Sequence, residues 1–225
     1  MNKSIKELKD KYLKEDIWII LAGSSMDYVS QEFFDNKIVI GVNQVYKHYK
    51  CDYIVMKDCM EVPRYTRSIN QLQEKNIPLI YSEYYKGDDN KEKNTPDYDN
   101  SYFFKHNSKN NSFSYGLENL RDDEIISSKS TVTSIIHIAA YMGAKNIMLC
   151  GHDCGRLDGN LYYEGYMESD WISSENWSGI SNRMNEIEVE TLRVRNYVME
   201  KYNCNIHSLN PFLNFSLEEH KFTIC

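Results

Sequence analysis

The sequence predicts a single α/β domain, residues 1–225, with a mainly parallel sheet flanked by helices, and three observations carry that expectation. Apolar runs of strand length, residues 16–22 first among them, are continuous rather than alternating, as in strands buried on both faces. Segments of helical periodicity alternate with these runs along the chain, which is the signature of a sheet wrapped by helices. The 225 residues are 41% apolar and 26% charged, so one well-buried core is expected and disorder is excluded.

Taken in order, residues 4–14 carry Ile5, Leu8, Tyr12 and Leu13 near helical spacing and predict a short amphipathic helix. Residues 16–22 predict the first strand, which ends at Gly23, and Ser24 and Ser25 are placed to cap a helix after it. Residues 37–43 predict a second strand, 44–50 a short helical piece, 52–58 a third strand, 64–75 a helix and 77–81 a fourth strand. The stretch 83–124 then turns to Asn, Asp, Lys, Ser and Tyr without sustained periodicity. It predicts a polar insertion: a long loop, a small subdomain or a contact within a homo-oligomer. Ser130 and Thr131 open a helix carrying Val132, Ile135, Ile136, Ala139 and Ala140 and closed by Gly143. Residues 145–150 predict a fifth strand. Residues 154–183 are irregular, with the length of a lid, and a helix over 185–202 leads to a last strand at 204–208. The arrangement is Rossmann-like in character.

Composition excludes several function classes. A net charge of -7 and a pI of about 5.4 leave no positive field to collect nucleic acid. The six cysteines form no CxxC pair, and Cys150, His152 and Cys154 alone are too few for a structural zinc site, so no metal site is expected. No signal peptide or transmembrane run is read, which predicts a cytoplasmic protein with free thiols, a peripheral place at the membrane being left open.

Ligands of parallel sheets sit beyond the carboxyl ends of the strands. Those ends are Gly23–Ser25, Asn43–Gln44, Lys57–Asp58, Tyr81, Gly151–Asp153 and residues 208–210. Gly23, Ser24 and Ser25 offer amides and hydroxyls to an anion at a helix start. Asn43 carries a donor and an acceptor suited to a ribose or base edge. Asp58 and Asp153 are carboxylates able to hold a sugar hydroxyl, a metal or a proton. His152 is the histidine that falls in a site turn, with His207 second. The loop is neither GxGxxG nor a P-loop, no GxSxG elbow supports a serine hydrolase, and no DxD motif asks for a metal.

The order Leu21-Ala-Gly-Ser-Ser25, Gly41-Val-Asn-Gln44, Ser130-Thr-Val-Thr133 and Ile147-Met-Leu-Cys-Gly-His-Asp153 resembles the bacterial sialyltransferases of the Campylobacter lipooligosaccharide type. It is also similar to the motility-associated and pterin pyrophosphokinase-like proteins that share such a sheet. The resemblance covers about two thirds of the chain and leaves out the 83–124 insertion. It implies that Gly23, Ser24, Asn43, Ser130 and Thr131 meet a CMP-sugar, and that Tyr162 or Tyr163 helps the phosphate leave. Gly155 stands where a second tyrosine is expected, and residues 176–181 lack the histidine that serves that family as base.

Three functions are expected on these grounds. The first is a glycosyltransferase-like enzyme that binds a CMP-sugar and passes the sugar to a saccharide acceptor. Its catalytic residues would be His152, Asp153 and Tyr162, its nucleotide contacts Gly23, Ser24, Ser25, Asn43, Gln44, Asp58, Ser130, Thr131 and Gly151, and it would require no cofactor. The second is a pyrophosphokinase that takes ATP and magnesium on Asp58 and Asp153. The third is a protein that sequesters a nucleotide without turning it over.

Overall fold

The structure is a computed structural model and describes residues 3–57, 63–82, 96–106, 124–128, 130–166 and 177–209. The described residues build a nine-stranded sheet in which every pairing is parallel. In chain order the strands are β1 (Lys3–Ser4), β2 (Asp16–Ile20), β3 (Ile38–Val42), β4 (Tyr53–Met56), β5 (Leu79–Ser82), β6 (Ser101–His106), β7 (Glu124–Ile125), β8 (Asn146–Cys150) and β9 (Asn205–Ser208). Their order across the sheet is β1-β6-β5-β4-β3-β2-β8-β9, with β7 on β6. Three α-helices are described: α1 (Pro63–Glu74), α2 (Thr131–Tyr141) and α3 (Trp177–Tyr202).

The six strands expected from residue 16 onward are present within a few residues of their expected ends, as are the helices expected over 64–75 and from Ser130 to Gly143, whereas α3 begins at Trp177, eight residues before the expected 185 and inside the span expected as a lid. Continuous apolar runs make the central strands because both sheet faces are covered: Ile17, Ile19, Ile20, Ile40, Ile54, Val55, Ile80, Ile147 and Leu149 are essentially inaccessible. Every residue of α2 from Val132 to Tyr141 is buried, since the helix lies between the sheet and α3.

Two expectations change. Residues 4–14 do not form an α-helix: Lys3–Ser4 pairs with Tyr102–Phe103, and only Ile5–Leu8 coils, as a 3-10 turn with a Ser4/Glu7 capping box. Beyond it the amides of Asp10, Tyr12 and Lys14 donate to the carbonyls of Tyr141, Met142 and Gly143. The segment thus satisfies the orphan carbonyls at the end of α2 instead of its own helix. The second change lies within the expected insertion, where Ser101–His106 is a full strand of the main sheet between β1 and β5. The remainder of that stretch falls outside the described residues, apart from 96–100 and Glu124.

Because all strands run the same way, their carboxyl ends share one edge. The helix α2 returns from that edge between β7 and β8, so its N-terminus, capped by the Ser130 hydroxyl at 3.3 Å from the Val132 amide, stands there too.

Candidate functional site

The two glycine turns expected to cradle a ligand sit on neighbouring strands, β2 and β8, and hold each other. The Gly23 amide donates to the Gly151 carbonyl at 2.9 Å, and the Leu21 amide to the Cys150 carbonyl at 2.8 Å. A Cβ on Gly23 would come within 2.5 Å of both the Gly151 carbonyl oxygen and the Asp153 carboxyl carbon. Gly151 itself has φ +72, the left-handed region, and a Cβ there would strike Met26 and the Leu21 carbonyl. Both glycines are required for this close approach.

The anion that occupies the Gly23 turn is the protein's own. The Asp153 carboxylate accepts the Ser25 amide at 2.8 Å and the Ser25 hydroxyl at 2.5 Å, and the residue is 5% exposed. The Ser24 hydroxyl donates to the Asn160 carbonyl at 2.8 Å. After Gly23 the chain makes a five-residue 3-10 turn, Ser24–Tyr28, not the α-helix expected. The hydroxyls of Ser24 and Ser25, placed on a phosphate by the sequence, are therefore engaged inside the fold, and Asp153 is a strut of the turn rather than a free acid.

His152 is likewise turned inward. Its Nε2 lies 3.0 Å from the Thr191 hydroxyl of α3, and the Thr191 hydroxyl donates to the Ile187 carbonyl. Burial pulls the imidazole down to about 4, so it is neutral at ordinary pH, and at 6% exposure it anchors α3 to the sheet. The ring expected to serve as the base is thus buried and engaged with α3. The Cys154 thiol, near it, is pushed up to about 12 by burial and the nearby carboxylates of Glu188 and Asp153.

The first part of the expected lid folds over the Gly23 turn. Tyr162 forms an isolated antiparallel bridge with Gly23, and the Tyr163 amide donates to the Ala22 carbonyl at 3.1 Å. The Glu164 amide donates to the Asp27 carboxylate, and the Tyr28 hydroxyl reaches Asp158 at 2.6 Å. Tyr162 is half-buried and packs on Tyr166, with ring centroids 5.5 Å apart. The fold thus brings Tyr162 to Gly23, while residues 167–176 of the lid lie outside the described residues.

The open polar groups stand one strand away. Asn43 leaves β3 in the left-handed region, φ +51, held by its amide on the Val55 carbonyl at 3.0 Å, and its Oδ1 is buried without a hydrogen-bond partner among the described residues. An unpaired buried amide oxygen costs about 1–3 kcal/mol. Gln44 is buried beside it, its Oε1 3.4 Å from the Lys47 ammonium. Thr131 and Ser130 are half-buried at the start of α2, which packs on β3 and β4. Asp58 lies outside the described residues, and His207 is half-buried within β9, opposite Met148. Among the described residues no three His, Cys, Asp or Glu side chains converge as a metal cluster would, and no helix is long and apolar enough to cross a membrane.

No family model and no curated relative matches the sequence. The fold defines the chain as an α/β protein with a parallel sheet whose carboxyl strand ends share one edge. Among solved structures that frame is shared with bacterial sialyltransferases. The chain is similar to the sialyltransferase CST-II in complex with trisaccharide acceptor and CMP, at 14% identity and a TM-score of 0.54 over 89% of this chain and 83% of that one. It is also similar to the monofunctional alpha-2,3-sialyltransferase Cst-I from Campylobacter jejuni, at 15% identity and a TM-score of 0.52 over 93% and 83%. A second structure of CstII from Campylobacter jejuni, in complex with a substrate analogue, cytidine-5'-monophosphate, aligns at 12% identity with a TM-score of 0.51 over 90% and 82%. At these identities the likeness is one of fold, and it matches the resemblance carried by the four sequence motifs.

Proposed function

We propose that the chain is a glycosyltransferase that binds a CMP-type nucleotide sugar at the ends of β2 and β3 and passes the sugar to a saccharide acceptor. The observation that carries this reading is the buried Oδ1 of Asn43, without a hydrogen-bond partner among the described residues, at the end of β3, a strand on which α2 packs. A cytosine or ribose donor group would complete it, Ser130 and Thr131 at the positive end of an 11-residue helix would face the phosphate, and Tyr162, beside Gly23, would meet the leaving oxygen. The fold supports the reading, since solved neighbours carry CMP. In the transfer the acceptor hydroxyl bonds to the anomeric carbon, the bond from that carbon to the phosphate breaks, CMP leaves, and the hydroxyl proton passes to a base.

Two findings weigh on the alternatives. The Asp153 carboxylate is engaged by Ser25, so the pyrophosphokinase reading loses one of its two magnesium ligands. The inward-facing His152 favours the sequestering reading, because the base expected in the site turn is not there to accept a proton. The deciding experiment is calorimetric titration with CMP, followed by release of CMP from a CMP-sugar with and without a saccharide acceptor. Binding that Asn43→Gly abolishes, with release accelerated by acceptor, supports transfer. Binding without release establishes the sequestering protein, and no binding removes the nucleotide reading.

A further inference from the structure

The amino ends of the strands share the edge opposite the one described above, and a cavity of about 580 Å³ reaches it. Asp52 and Pro78, the residues just before β4 and β5, line this cavity. The stretch from Tyr46 to Cys51 forms one side, and Lys75 to Ile77, at the exit of α1, the other. Its size is that of a small-molecule site. The walls are fixed by packing. Tyr46 is buried, and its hydroxyl donates to Gln71 Oε1 of α1 at 2.7 Å. Tyr49 is buried too: its hydroxyl donates to the Met26 carbonyl at 2.9 Å, and its ring meets those of Phe34 and Tyr163 edge to face. Such a cavity is preformed, which lowers the ordering cost of binding.

The cavity is basic although the chain is acidic. The protein carries a net charge of -7, yet Lys47, Lys50 and Lys75 line the cavity against one carboxylate, Asp52. Lys47 is engaged, its ammonium 3.4 Å from Gln44 Oε1. Asp52 accepts the Val39 amide on its Oδ2 at 2.8 Å. Lys50 and Lys75 have no carboxylate partner among the described residues. The Lys75 ammonium lies 5.6 Å from the centroid of the Tyr46 ring, and this cation–π contact keeps it at the cavity wall. The end of α1 does not use it. There the amides of Lys75, Asn76 and Ile77 donate to the carbonyls of Gln71, Gln73 and Leu72 respectively, with Asn76 in the left-handed region at φ +53. Two unpaired ammoniums on one concave surface repel each other and draw anions to it.

We propose that this cavity is a second binding site, apart from the proposed nucleotide edge, which takes a phosphomonoester of a small hydroxylated molecule, with Lys50 and Lys75 on the phosphate. A phosphomonoester carries about two negative charges at neutral pH, which two ammoniums balance. A carboxylate or a sulfate ester carries one and leaves an ammonium unanswered. Bare phosphate would leave most of the 580 Å³ to water, whereas a ring body can lie against the apolar surface of Tyr46, Ile77 and Pro78. The Gln31 amide, which also lines the cavity, can donate to and accept from the hydroxyls of such a body. A site at this edge requires neither CMP nor sugar transfer.

The test is a titration of the full chain, labelled with 15N-histidine, at constant ionic strength with glucose 6-phosphate, glucose 6-sulfate, inorganic phosphate and glucose in turn. It is read at the ring nitrogens of His48, which lines the cavity and whose signals are assigned from His48→Gln. The expected result is a saturable shift with glucose 6-phosphate, at an affinity at least about tenfold above that for glucose and at least about threefold above those for the sulfate ester and inorganic phosphate. Lys50 and Lys75 are exposed, so Lys50→Gln and Lys75→Gln should leave Tm unchanged while each weakens binding at least about threefold, and the double variant at least about tenfold. No saturable shift, equal affinity for glucose or for the other anions, or unchanged affinity in the double variant overturns the site. Retention of the shift in Asn43→Gly supports a separate site, and its loss there places the phosphate at the carboxyl edge and overturns one. Failure of CMP to bind removes the nucleotide reading alone.

Discussion

The β2–β8 end of the carboxyl edge and the β3–β6 end are built from similar residue types and behave in opposite ways. Over β2 and β8 the described polar groups are answered by the protein: Ser24 by Asn160, Ser25 by Asp153, Gly23 by Gly151, His152 by Thr191. Over β3 to β6 the Asn43 oxygen, the Ser82 hydroxyl and the His106 nitrogens are answered by none of the described residues. A glycine-serine turn at a strand end is therefore no sign of a ligand until its partners are known. The informative groups are those a core would not tolerate unpaired.

The sharpest way to break this contrast is to disturb the satisfied end. Gly151→Val adds a branched side chain at φ +72 against Met26 and the Leu21 carbonyl, and is expected to cost about 3 kcal/mol. That would lower Tm by roughly 6–12 °C in thermal unfolding; an unchanged Tm would mean the two turns are not locked together. Next, Asp153→Ala leaves the Ser25 amide and hydroxyl unpaired, and an expected loss of about 2 kcal/mol in urea unfolding marks Asp153 as a strut. CMP affinity should change by less than about threefold, corresponding to about 0.7 kcal/mol. A collapse of CMP binding with stability intact would return Asp153 to the site.

At the unsatisfied end the order of effects reverses. Asn43→Gly relieves the left-handed backbone while it deletes the amide, so Tm should hold within about 2 °C, corresponding to about 0.5–1 kcal/mol, while CMP affinity falls at least about tenfold. Calorimetry and a thermal scan on the same sample separate the two.

A smaller effect is expected from pH. Burial holds His137 at about 3 and His152 at about 4 in the fold, against about 6.5 when unfolded. The unfolded chain therefore binds more protons between these values, and stability rises with pH there. The contribution of each neutral histidine is complete above about pH 6.5 and is lost as pH falls toward about 4. Urea midpoints at about pH 7.5 and about pH 5.5 should differ in that direction, and by less in His152→Gln, whose amide can still meet Thr191. Smallest of all, Tyr28→Phe removes an exposed hydroxyl from Asp158 and should shift stability by less than about 0.5 kcal/mol in the same urea series.

The frame is legible in the sequence because continuous Ile, Val and Leu runs and the α2 pattern answer to periodicity alone. Residues 4–14 mislead because helical spacing says nothing of a competing acceptor, and the free carbonyls at the end of α2 offer one. Ser101–His106 is hidden by its polar surroundings, although Tyr102, Phe103 and Phe104 in a row are the aromatic run of a buried strand. At the site, Gly23, Asn43, Ser130 and Tyr162 can be read from strand ends and motif order. That Asp153 fills the Gly23 turn is not legible, because the two residues meet only once β2 and β8 pair. Lys57 can be read at a strand end, whereas His106 lies in a polar context and its place at a strand end cannot be read before β6 is known.

The central pairing also governs how the chain is assembled in time. Asp16 and Asn146, side by side in β2 and β8, are 130 residues apart, and Lys3 meets Tyr102. During synthesis the first-made strands can engage β3 and β4 early, yet one edge of β2 stays uncovered until α2 and β8 emerge. Such distant parallel pairing slows folding and leaves an apolar strand exposed in the meantime. The nascent protein is consequently most open to misassociation while its C-terminal third is still being made.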